Sequence, residues 1–211
     1  MNLNLGGGHL GMPFTEKYLY CHFGFEGFTD CEIHLSLQSF CHFLAMAAQH
    51  DSSGRAAEAF LHHVIALDLL LGDAGSSTNS VSTRSAALVF RALNQDYQVV
   101  VKDLLRIYNA RSKYVHEGKQ PDSSLLPMAN NICGEVAFCL FRLQREINNR
   151  IAGFRDRWLK DLDFVIAATE AGRLVSDEDW RRVGVVLGDD VRYLAFTSEL
   201  EQPLARPNKV L

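Results

Sequence analysis

The sequence predicts an all-α fold: an antiparallel helical bundle of about five helices, with a small irregular or short-strand N-terminal segment and an extra C-terminal helix. Three observations predict it. From residue 29 onward, apolar residues recur at spacings of three and four. The breaks between the periodic stretches are short and rich in Gly, Ser, Asp and Pro. The chain has 211 residues, 47% hydrophobic and 22% charged, enough for one ordinary core without a metal or disulfide staple.

The elements follow in order. Residues 1–30 carry the breakers Gly6-Gly7-Gly8 and Gly11-Met12-Pro13, then an aromatic run from Lys17 to Phe25 that fits one or two short strands. The triple glycine lacks the Lys-Ser/Thr ending of a phosphate loop. Thr29 or Asp30 can cap a first helix to about Gln49, with Ile33, Leu37, Phe40, Leu44 and Ala48 on its apolar side. After Asp51-Ser52-Ser53-Gly54, Ser53 can cap a second helix from Arg55 to Leu71, ended by Gly72 as a C′ residue. A loop over 75–80 leads to a third helix, from Ser80 or Ser82 to about Leu93.

The fourth helix runs from about Asp96 to Val115, with Val101, Leu104, Tyr108 and Val115 in one stripe, and Gly118 and Pro121 close it. Asp122 or Ser123 opens a fifth helix to about Asn149. Gly153 precedes a further helix, Arg155 to Ala171. Ser176 and Asp179 have capping-box spacing at the start of a short turn to Trp180, and residues 203–211 are expected to fray. The domain reading is therefore an N-terminal segment 1–30, a bundle 31–150 and a C-terminal extension 151–211.

Composition also excludes classes. The formal net charge is −4, so nucleic acid binding would need a local patch. The five cysteines (Cys21, Cys31, Cys41, Cys133, Cys139) are odd in number and contain no C-x-x-C pair. That argues against a disulfide framework or zinc ribbon and fits reduced thiols in a cytosolic protein. The N-terminus lacks the basic and apolar regions of a signal peptide. The longest uncharged stretch, beginning at Ile33, contains His34, Gln38, His42, Gln49 and His50, too polar for a membrane span. The cytoplasm is the expected location, with no membrane partner.

Chemistry concentrates between Asp103 and Gly118. Arg111 precedes His116 by five positions near a helix C-terminus. On a helical wheel centred on Tyr108, Arg111 falls at about −60° and His116 at about +80°, on opposite edges of the apolar stripe. A guanidinium matches phosphate oxygens as a planar fork, and an imidazole moves protons near neutrality. The pair is thus a minimal kit for cleaving RNA without metal. One imidazole cannot be base and acid at once, and a two-fold dimer would supply two. The same residues also suit a bundle edge, where long polar side chains snorkel and a basic group meets the helix dipole.

Local charge is compatible with RNA. Residues 91–119 hold six Lys or Arg against three acidic groups, and residues 142–160 hold six against two. The neighbours His62 and His63 diverge by about 100° and cannot easily share a metal. Cys21-His22, Cys31, His34 and Cys41-His42 have no standard zinc spacing, so packing explains them. The aromatic run Tyr18 to Phe28 suits a core or interface better than a base-stacking platform.

The segment from Tyr108 to Gly118, with Arg111, Ser112 and His116, closely resembles the Y-x-x-R-S-x-x-x-H-G signature of HEPN domains, specifically the ApeA-like branch. Phe60 through Leu71 resembles that branch's A-L-E-x-L-L helix, and Arg84 through Leu88 its R-x-A helix. Asp68 stands in place of the glutamate, and Glu117 intervenes between His116 and Gly118. The likeness covers about residues 31–150. It implies a dimerising HEPN-like bundle and a metal-independent endoribonuclease, often of a bacterial defence or toxin system. Arg111 and His116 would be catalytic, with Ser112, Tyr108 and Asp68 in support. Lys113, Arg106 and Lys119 would bind RNA. No cofactor is implied. The implied partners are RNA, a second copy of the chain, and an antitoxin or other defence-system protein. The alternative is a non-catalytic module for dimerisation or for RNA or protein binding.

Overall fold

The computed structural model describes residues 32–73, 78–143 and 153–185. The N-terminal strands, the Cys21-His22 and Cys31 positions, the fifth helix beyond Leu143 and the fraying tail lie outside these residues, and so does the side chain of His34. Within them the chain is all-helical, with no strand. There are seven helices among the described residues: α1 Glu32–Ser52, α2 Ala56–Leu71, α3 Thr78–Val89, α4 Tyr97–Glu117, α5 Leu125–Arg142, α6 Phe154–Glu170 and α7 Asp177–Arg182.

α1 and α2 form the most extensive pair. Leu37, Phe40, Cys41 and Leu44 are buried along α1, whereas Ala48, expected on the apolar side, is exposed. The connection is tighter than its composition predicted. The Ser53 hydroxyl donates back to the Gln49 carbonyl at 2.8 Å instead of capping α2. Arg55 occupies the N-cap position of α2 with no side-chain capping bond. At the other end Gly72 is extended, with φ −82° and ψ 148°, not in the left-handed conformation common for a C′ glycine. The Gly72 N–H still donates to the Asp68 carbonyl at 2.9 Å, and side chains from α3 and α6 take the carbonyls that follow, as described below.

α3 ends at Val89, four residues before the expected Leu93, and the chain turns through Asn94 at φ 51°. The Asp96 carboxylate then accepts from the Gln98 N–H at 2.8 Å and starts α4. α5 begins at Leu125 because Asp122 and Ser124 close a turn first, with the Ser124 hydroxyl 2.6 Å from the Asp122 carboxylate. α7 starts as its spacing predicted, the Ser176 hydroxyl accepting from the Asp179 N–H at 3.2 Å.

α4 packs on α3, α5 on α2 and α3, and α6 on α3 and α7. The interior is one cluster in which Phe40, Phe60, Leu67, Leu104, Ile132 and Trp158 meet. Each fully buried Leu or Phe there contributes about 1.5–3 kcal/mol relative to exposure. Trp158 of α6 is 1% exposed and donates its indole N–H to the Val183 carbonyl. Among the described residues no helix is long and apolar enough to cross a membrane.

Candidate functional site

α4 positions the candidate residues. Its buried side carries Val100, Val101, Leu104, Ile107 and Tyr108. Gly118, at φ 69°, ends it in the left-handed conformation, its N–H donating to the Tyr114 carbonyl at 3.0 Å. The final turn extends past the packed core. Val115, placed in the apolar stripe by its spacing, is therefore 48% exposed. The fully buried stripe ends with Tyr108, and Arg111 and Tyr114 beyond it are half-buried.

Tyr108 is the anchor. Its hydroxyl donates to Asp68 Oδ1 of α2 at 2.7 Å. Burial, then the Asp68 charge, push the phenol far above its ordinary pKa, so it remains a donor. Burial also raises the Asp68 carboxyl, against the opposing effects of the Tyr108 hydrogen bond and the Arg111 charge. Arg111 thus lies within electrostatic reach of Asp68, one turn beyond Tyr108. Its Nε is buried with no hydrogen-bond partner. The structure brings Tyr108, Asp68 and Arg111 together at the α2–α4 contact. The shorter aspartate side chain is long enough to reach the tyrosine here.

His116, Ser112 and Lys119 are exposed at the helix end or just after it, and Lys113 is half-buried. Arg106 is exposed and pairs with Asp103 at 3.0 Å, one turn earlier. Two other basic residues counted toward an RNA-binding face are not free to serve it. Arg155 is buried, and its guanidinium donates to the Leu70 and Gly72 carbonyls at 3.3 and 2.5 Å. Arg142 donates to the Gly184 carbonyl at 3.2 Å and lies over the Phe138 ring.

Sequence reasoning missed the polar cluster at the end of α2. Arg84 of α3 donates to both carboxylate oxygens of Asp163, each at 2.8 Å, and to the Leu71 carbonyl at 2.7 Å. It also pairs with Asp73 at 2.8 Å. The Leu70, Leu71 and Gly72 carbonyls at the end of α2 are thus taken by two arginines. The available signal was an arginine followed by Ser-Ala-Ala-Leu-Val, a charge in a stretch otherwise fit for burial. Also missed was a cleft of about 400 Å³ between α6 and α7, whose lining includes Arg157, Asp161, Glu178 and Arg181.

Of the adjacent histidines, His63 is buried and His62 half-buried, consistent with their divergence on the wheel. Among the described residues no three His, Cys, Asp or Glu side chains are grouped as metal ligands. Comparison with protein-family models, curated proteins and solved structures yields no match for the chain.

Proposed function

We infer that the chain is a metal-independent endoribonuclease of the HEPN type, built as a dimer and serving bacterial defence or a toxin-type stress response. One observation carries the reading: Arg111 lies on α4 beside the Tyr108–Asp68 pair, with its Nε enclosed and unpartnered. A guanidinium whose approach is fixed by packing, five residues before an exposed imidazole, suits a phosphate bound at the helix end.

In this reading a ribose 2′-oxygen attacks the adjacent phosphorus and the P–O5′ bond breaks. The 2′-hydroxyl proton passes to one His116, and a protonated His116 from the second copy delivers a proton to the departing O5′. Arg111 stabilises the charge gathering on the non-bridging oxygens. Lys113, Arg106 and Lys119 hold flanking phosphates, and Ser112 offers a hydroxyl beside the arginine.

The test is incubation of purified protein with RNA in EDTA. Cleavage leaving 2′,3′-cyclic phosphate ends is expected, with at least a hundredfold loss in Arg111→Ala and in His116→Ala at unchanged helicity. Undiminished RNA, or full activity in Arg111→Ala, overturns the enzyme reading.

A second reading has its own support. The Asp68 carboxylate acts on Arg111, and Glu117 adjoins His116, so acidic groups accompany both candidate catalysts. That pattern suits a non-catalytic module that dimerises or holds RNA or protein. It predicts binding without turnover.

A further inference from the structure

Four aromatic side chains line the seam between α1 and α2. His42 meets Phe43 edge-on, Phe43 stacks on His62 at 5.6 Å, and His62 stacks on His50 at 4.7 Å with planes 14° apart. His62 Nδ1 lies 2.7 Å from the Glu58 carbonyl. A carbonyl only accepts, so Nδ1 carries the hydrogen and Nε2 is the atom left to take a proton. His50 and His63 are buried, and the Nδ1 of each is enclosed without a hydrogen-bond partner.

We propose that His50 and His63 form an acid-sensitive latch: neutral, they let α1 pack against α2, and protonated, they loosen that packing. The geometry carries the argument. An imidazolium has two N–H donors to satisfy, and at His50 and His63 one of them would be buried with no acceptor. Charging both members of the His50–His62 stack would set two cations face to face. Opening the seam hydrates the rings of the stack.

The surrounding groups work in the same direction. Arg55 and His62 oppose a charge on His50, Glu58 favours one, and burial is the largest influence and lowers the pKa. Burial, then His62, hold His63 at about 4. On the helices packed against α2, Arg84 is engaged with Asp73 and Asp163, and Arg111 lies by Asp68. α5 brings the Cys133 thiol, which donates to the His63 carbonyl and which burial keeps protonated, and carries the buried Glu135, which has a partner of its own. Both histidines therefore bind protons more readily when released than when packed. For each, the opening equilibrium grows by up to about tenfold per pH unit below the ordinary histidine pKa of about 6.5.

The experiment is amide hydrogen exchange on the full chain at pH 7.5 and 5.0, corrected for the intrinsic rate. Protection in α1 and the first half of α2 should fall at least tenfold further than in α5 and α6. An equal fall in all helices, or none in α1, overturns the latch. His63→Met should abolish most of the difference. His50→Phe, which keeps a ring in the stack without a titrating nitrogen, should shrink it, so the idea stays testable if the buried variant does not fold. A full response in His50→Phe and His63→Met alike also overturns it.

Discussion

Arg84 is buried, yet its guanidinium is fully occupied by Asp163, Asp73 and the Leu71 carbonyl. Replacing it with alanine strands that carbonyl, while the two half-exposed carboxylates can turn to water. The cost should therefore lie between a surface and a buried ion pair, about 2 kcal/mol in chemical denaturation. Asp163→Asn retains an acceptor and should cost less. These partners lie 79 residues apart in sequence, so no local pattern could reveal them. Tyr108 and Asp68, 40 residues apart, were legible only through a resemblance. Tyr108→Phe should cost about 1–3 kcal/mol, because the Asp68 carboxylate loses its hydrogen-bond donor in a partly buried site. If stability is unchanged in that variant, the pair does not anchor α4 to α2.

At the scale of elements, helix existence was legible and helix ends were less so. Periodicity reports which side of a helix is buried, but an end depends on which group satisfies the last polar atoms. Asp96 and Ser176 cap α4 and α7 because their own side chains reach the orphan N–H groups. Ser53 fails to cap α2 because its hydroxyl is already committed to Gln49. Two glycines separate conformational from steric demand. Gly118 has φ 69° and open space where a Cβ would stand, so Gly118→Ala should cost only the left-handed penalty, about 1 kcal/mol. Gly184 has φ 86°, and an added Cβ would lie 2.4 Å from the Cys139 carbonyl oxygen. Gly184→Ala should therefore displace the segment carrying Trp180 and Val185 from α5, reducing near-ultraviolet circular dichroism while far-ultraviolet helicity changes little. Equal stabilities for the two variants would contradict this distinction.

For the whole molecule, the question is whether the first five helices are complete without α6. The family resemblance stops near residue 150, and nothing local in the sequence shows that a later helix reaches back. In the structure Trp158, Leu159 and Leu162 enter the same core as Phe60 and Leu104. Arg155 closes the end of α2 from the α6 side, by hydrogen bonds to residues 83 and 85 positions earlier. A chain ending at residue 150 would lose a tryptophan that is 1% exposed and uncover the α3 surface against which α6 packs. Loss of a buried Trp side chain alone costs about 3–5 kcal/mol, a large share of a typical domain's 5–15 kcal/mol. The truncated chain should keep helical circular dichroism but unfold over a broad, weakly cooperative transition and bind a dye for exposed apolar surface. A sharp transition at the full-length midpoint would show instead that α6 is an accessory, and that the core from α1 to α5 is stable on its own.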